Sequence, residues 1–363
     1  MLKQYSFGRV IKFQQAGLLI AVLMVGALGT YLLVSGRAAT PYASIAAGQG
    51  TLANGATLQT DSSAADGRYV RLGSAPAPPT NGITYGTPQH PFSASAPINT
   101  PIPANPKFSG SNGRITGLVG DIYEFGNPTY VAASSAPRSL VSCSEAWGTC
   151  PFSGYQIPIP ANAVPASGSD ASMEIIDPAT NLAYEFWQFR GSSGNYSTSW
   201  GDVVNITSNV ISSPGDGSAT GSNIAAIAGE VRIADIQSGH IDHAITMAIG
   251  PTCSSFVFPA TKSDGSGSGS GCLPEGTRLQ LDPSINLAGI SGITPFELMV
   301  GKALQTYGAY IKDTAGSGTS GAIGFENPAD GQPDVYSQMG VGDYYGFPHI
   351  PNAWHVLNSW NGQ

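Results

Sequence analysis

Short runs of alternating apolar and polar positions recur from residue 113 onward. The clearest are "GRITGLVGDIYEF" (113–125) and "SMEIIDPATNLAYEFWQFR" (172–190). In the second, "DPATN" puts turn chemistry between two runs of β-formers, so the stretch predicts a hairpin. "HIDHAITMAIG", "SSFVFP" and "GTRLQLD" continue in the same style. Alternation with period two is what half-buried strands require. One stretch has a helical period instead. "ITPFELMVGKALQTYGAYIKD" (293–313) starts with Thr294 as N-cap, Pro295 in the first turn and Glu297 three residues on, a capping box. Phe296, Met299, Val300, Ala303, Leu304, Tyr307 and Ile311 then share one face, with Lys302 and Gln305 opposite. The expected fold class is all-β: a jelly-roll-like β-sandwich over 107–363, with one α-helix at about 294–312 packed on a sheet.

The N-terminal third obeys other rules. Residues 16–34 are apolar and uncharged, and as a helix would span roughly 28 Å, the thickness of a bilayer core. Lys3, Arg9 and Lys12 precede them, with no acid before Asp61, which favours a cytoplasmic segment at 1–15 and export of the chain beyond residue 34. The expectation is a single-pass transmembrane anchor. A cleaved signal sequence is the alternative, since small residues surround "GRAAT" (36–40). Residues 41–73 hold short strand candidates, "ATLQT" and "RYVRLG" among them. Residues 74–106 are rich in Pro, Ala, Ser and Thr and read as an extended linker.

Composition agrees with export. Charged residues are only 10 %, while the 47 glycines and 27 prolines make a turn-rich chain of the secreted all-β kind. Beyond position 40, 11 lysines and arginines face 23 acids, a net charge of −12. Such a surface repels phosphate backbones and argues against a nucleic-acid partner. Four cysteines allow three pairings, and the local ones, Cys143 with Cys150 and Cys253 with Cys272, are simplest. The second would close a loop containing "SDGSGSGSG" (263–271). No Cys/His spacing suggests zinc, and neither metal nor cofactor is expected.

Two resemblances add to this. Residues 41–73 resemble the opening hairpin of calcium-containing, jelly-roll carbohydrate-binding modules. They depart from that pattern where "IAAGQ" replaces an acidic, calcium-holding stretch. The segments "DPATNLAYEFWQ", "AGEVRIADIQSGHIDHAI", "PEGTRLQLDPS" and "ALQTYGAYIKD", in that order over roughly 170–315, resemble a family of secreted, mostly-β proteins of uncharacterised activity. This second likeness implies a shared fold and an extracellular setting, and no activity.

Several residues could carry chemistry. On a strand "LAYEFWQFR", Ala183, Glu185, Trp187 and Phe189 share a face. A carboxylate beside an indole suits a sugar cleft; burial of the aromatics is the plainer alternative. In "TRLQLD", Leu279 and Leu281 face a core, while Arg278, Gln280 and Asp282 form a polar stripe, either a wet outer face or a cleft floor. If 240–249 is a strand, His240 and His243 point to opposite faces, which disfavours a two-histidine metal chelate. His243 then lies in an apolar row, as a core residue or as a base.

The leading expectation is a membrane-anchored, extracytoplasmic domain acting on a surface or environmental polysaccharide. A lyase would use His243 as base, Tyr307 as proton donor, and Arg278 and Gln280 to mask a uronate charge. A glycoside hydrolase would pair Glu185 with a second carboxylate, Asp282, Asp177 or Glu124; Trp187 and Asp282 would help bind substrate. The alternative is a non-catalytic surface protein that binds glycan or a partner envelope.

Overall fold

A computed structural model describes residues 57–60, 68–71, 82–111, 115–213, 218–269, 272–316, 321–329 and 331–363. The anchor expected at 16–34 lies outside them. Among the described residues no helix is long and apolar enough to cross a membrane. The chain forms two compact units, Met1–Pro76 and Ala77–Gln363. In the first, Thr57–Thr60 pairs antiparallel with Arg68–Arg71, Leu58 opposite Val70. These strands fall on the two candidate stretches.

The second unit is mostly β, as the alternation requires, and is built on two sheets. A five-stranded sheet runs Trp200–Asn205, Leu182–Trp187, Met173–Asp177, Asn127–Val131, Glu326–Asn327. Its centre is the expected hairpin, with Asn181 at positive φ in the turn. An eight-stranded sheet runs Tyr344–Tyr345, Val119–Asp121, Ala322–Ile323, Ile245–Ile249, Ala309–Thr314, Arg278–Leu281, Trp354–Leu357, Phe108–Ser111. Among the described residues six strand pairings are parallel, including Ile245–Ile249 with Ala309–Thr314 and Asn127–Val131 with Met173–Asp177. A jelly roll consists of antiparallel Greek keys, so the sheets correct that part of the expectation.

Alternation sorts the eight-stranded sheet into two buried faces. Ile245, Met247, Ile249, Leu279, Leu281 and Ile311 pack with Phe296, Val300 and Leu304 of the helix. Residues between them face the other way, where Tyr310 joins Ile176, Ala183 and Val204 of the five-stranded sheet in a second core. Burying both faces explains why so few strands show a wet side.

The helix spans Pro295–Thr306, six residues short of the expected end. Its capping box is present: Glu297 N donates to Thr294 Oγ1 at 3.1 Å, and Thr294 N to Glu297 Oε2 at 3.0 Å. The helix stops because Gly308 turns at φ +72°, 2.1 Å of clearance separating the place of its absent Cβ from Leu279 O. Only glycine fits there. The chain then continues as Ala309–Thr314, a strand rather than helix.

The linker expectation is also corrected. Within 74–106, Phe92, Ala96, Ile98 and Asn99 are buried. Ala244 N donates to Ile98 O at 2.7 Å, and Ile102 N to Thr306 O at 2.9 Å. Proline-rich chain serves here as irregular core, its carbonyls satisfied by Asn99 Nδ2, which donates to Pro91 O and Ser93 O, each at 3.0 Å. Both expected disulfides, Cys143–Cys150 and Cys253–Cys272, are formed.

Candidate functional site

A cleft of about 770 Å³ opens where residues of both sheets meet, Asn127 and Trp187 from one, Thr246, Lys312 and Asp313 from the other. Trp187 ends its strand half-buried, and its ring stacks on Trp147 at 5.9 Å between centroids and 22° between planes. Trp147 is 56 % exposed and sits in the short loop closed by Cys143–Cys150. Trp187 Nε1 donates to Asp170 Oδ1 at 3.3 Å. Two indoles and a carboxylate thus border one wall.

Glu230 lines the same cleft and is 1 % exposed. It comes after Gly229, whose φ of +71° and tight approach to Ala244 O exclude a side chain there. Val231 N donates to Gly324 O at 2.9 Å and Glu326 N to Val231 O at 3.0 Å, fixing the backbone beside Glu230. Asn127 Nδ2 donates to Glu230 Oε1, and Lys312 Nζ stands 3.9 Å from the same oxygen. Oε2 has no hydrogen-bond partner. Burial, then the charge of Glu174, pushes this carboxyl well above the usual range, against the pull of Lys312 and Arg232.

Behind Glu230 lies a sealed network. Glu174 accepts from Thr129 Oγ1 at 2.9 Å and lies 3.7 Å from Arg232, whose Nε is 3.2 Å from Glu326. Burial pushes Glu174 up to about 7, with Arg232 opposing. Asp313, on the cleft wall, rises to about 6 through burial and the charge of Asp264.

The residues singled out by sequence fall elsewhere, Trp187 excepted. Glu185 shares Trp187's strand face but is 0 % exposed, accepting from Ala226 N at 2.7 Å and Ile227 N at 3.0 Å. The exposed Glu185–Trp187 face is therefore corrected: the 224–228 segment covers the glutamate. Arg278 and Gln280 form neither a wet face nor a cleft floor. Both are buried, because helix-terminal carbonyls need donors. Arg278 donates to Tyr307 O at 2.9 Å from Nε and to Trp360 O at 2.9 Å from Nη1, and Gln280 Nε2 donates to Gln305 O at 2.8 Å. Asp282 receives Ser284 N at 2.9 Å in a surface turn, 3.8 Å from His355. Tyr307 caps the helix, half-buried against the second core, with its hydroxyl pushed up to about 12 chiefly by burial.

The histidines are separated, but not by strand alternation. The strand begins at Ile245, and Ile233–Ser238 before them is helix, ended by Gly239 at φ +78°. His240 is exposed, 2.6 Å from Asp242. His243 is buried, Nδ1 facing Ala244 O at 2.9 Å and Nε2 facing Asp235 Oδ2 at 3.0 Å. Burial lowers its proton affinity, but Asp235 and the two hydrogen bonds outweigh this and raise it. It borders a void of about 10 Å³ that Arg232 and Glu230 also line, and it is not among the residues of the cleft.

No sequence motif marks Glu230, Trp147 or Asn127. Glu230 did carry a signal: it is the one acid in the otherwise apolar run "IAAIAGEV". Comparison with protein-family models, curated proteins and solved structures finds no match to this chain.

Proposed function

We propose that this protein is a glycoside hydrolase acting on a surface or environmental polysaccharide, with Glu230 as the proton donor. One observation carries the reading: a buried carboxyl that lines a large cleft is anchored through Oε1, while its Oε2, itself sealed from solvent, has no hydrogen-bond partner. A glycosidic general acid must be protonated near neutral pH, and burial beside Glu174 favours that form. Glu230 then delivers its proton to the leaving glycosidic oxygen, while water adds at the anomeric carbon. Asn127 and Lys312 hold Oε1 and stabilise the carboxylate that remains. Trp147 and Trp187 supply the flat apolar surface on which a pyranose face stacks. The second carboxylate comes from Asp121, Asp170, Asp264 or Asp313, all on the cleft wall. A lyase centred on His243 and Arg278 has less support, since neither lines the cleft.

Two disulfides support an oxidising, extracytoplasmic setting. The apolar run at 16–34 behind Lys3, Arg9 and Lys12 supports a membrane anchor.

The test is a panel of neutral and acidic polysaccharides, assayed for new reducing ends and for the absorbance of new double bonds. Reducing ends without double bonds are expected. Glu230→Gln should lower kcat by about 10²–10⁴-fold with unfolding unchanged. Folded protein that binds glycan yet turns over none of the panel would replace the enzyme with a glycan-binding surface protein.

A further inference from the structure

Asp264, Glu275 and Asp313 form a second carboxyl cluster, apart from the proton donor. They come from three elements: the Gly/Ser-rich loop closed by Cys253–Cys272, the strand Leu273–Glu275 and the strand Ala309–Thr314. One oxygen of each lies within 4.8 Å of the other two. The backbone enforces this closeness. Gly221 N donates to Asp313 Oδ2 at 3.2 Å and Thr314 N to Asp313 Oδ1 at 2.8 Å. A Cβ at Gly221 would stand 2.7 Å from oxygens of both Asp264 and Asp313.

The independent observation is Glu275. Its side chain is 0 % exposed, and its Oε2 has no hydrogen-bond partner. Its Oε1 accepts from the hydroxyls of Thr252 and Thr314, each at 3.4 Å. Lys312, next to Asp313, spends its ammonium on Ala226 O at 2.9 Å and on Glu230. Burial and the neighbouring carboxyls of Asp264 and Asp313 push Glu275 up to about 9, so without a cation it is held as the neutral acid; a cation among the three would supply the missing positive charge.

We propose that Asp264, Glu275 and Asp313 bind a calcium ion at the edge of the cleft. An all-oxygen donor set selects a hard cation. Ligands gathered from a loop and two strands suit calcium's tolerant geometry better than the strict octahedron of magnesium. The ion clamps the Gly/Ser-rich loop to the cleft wall, because Asp264 and Asp313 both line it. It also leaves Asp121 and Asp170 as the cleft carboxylates that would serve the hydrolytic reaction.

A second acidic group, Asp121, Glu124 and Asp343, provides the control. It holds no buried carboxyl: Glu124 and Asp343 are exposed and Asp121 is half-buried.

The experiment titrates CaCl₂ into EDTA-treated full-length protein by calorimetry and tracks Tm alongside. One ion per chain and a rise in Tm are expected. Asp264→Asn, on an exposed loop and so compatible with folding, should weaken binding at least about tenfold; Asp343→Asn should leave it unchanged. The proposal is overturned by absence of calcium heat and thermal shift, by binding that survives Asp264→Asn, or by binding lost in Asp343→Asn. None of these readouts involves turnover, so they stand apart from the hydrolase reading.

Discussion

Glu174 and Glu185 are cross-strand partners at the centre of the five-stranded sheet, in register and both sealed from solvent. Asp202 faces Glu185 from the next strand. A row of three buried acids is costly to ionise, and its Glu174 is near enough to Glu230 for its charge to raise that carboxyl.

This row sets the sign of the pH dependence of stability. Glu174 moves from a usual 4.5 to about 7, and Asp202 from 3.8 to about 6, in both cases chiefly by burial. Between those values the folded chain holds more protons than the unfolded one, so stability falls as pH rises from about 4 to 7. Glu174→Gln removes its share, and the loss between pH 4.5 and pH 8 should shrink by roughly 3 kcal/mol. Urea unfolding at the two pH values measures this. Wild-type stability that increased over the interval would contradict it.

The indole pair should govern binding rather than chemistry. Trp187→Ala is expected to raise KM up to about tenfold with little change in kcat, the loss of one stacking surface. Serine at both Cys143 and Cys150 frees the loop that holds Trp147 and should act in the same direction. Steady-state kinetics on the best polysaccharide would show it; unchanged KM in both variants would remove the tryptophans from the site.

Arg278 should matter for folding alone. Its guanidinium serves the carbonyls of Tyr307, Trp360 and Thr100 and lies 4.9 Å from the centre of the Tyr310 ring. Arg278→Met leaves those buried acceptors without donors, at a cost of about 3–5 kcal/mol. The remaining folded fraction should keep its specific activity. A stable but inactive variant would return Arg278 to the substrate.

His243 is a second source of pH dependence. Its folded proton affinity is raised over the usual 6.5, so its contribution to stability is complete below that pH and is lost as pH rises through the folded value. His243→Gln should be less stable than wild type at pH 5.5 and closer to it at pH 8.5, with turnover retained. Equal destabilisation at both pH values would show that the proton on His243 contributes nothing.

Local signals were legible in the sequence. The 172–190 hairpin comes from "DPATN" between β-formers, the helix start from the Thr294–Glu297 box, and both disulfides from cysteine proximity along the chain. The helix end was encoded too, in Gly308, but "TYGAYIKD" keeps helical spacing through Ile311 and hides it. Trp187 was found because a strand's alternation could place it beside a carboxylate, although its partner is Asp170 and not Glu185.

The sequence by itself determined the strand-rich character, the helix cap and the disulfide staples, because each depends on residues a few positions apart. Only the tertiary structure decided which polar faces are buried. Arg278 and Gln280 alternate with leucines just as an outer face would, yet the helix terminus and the chain at Thr100 and Trp360 cover them. It also decided where chemistry can occur. Asn127 and Lys312 lie 103 and 82 positions from Glu230 in sequence, and only sheet packing brings the three to one cleft. Period two tells which residues share a face; the surface packed against that face is a property of the whole fold.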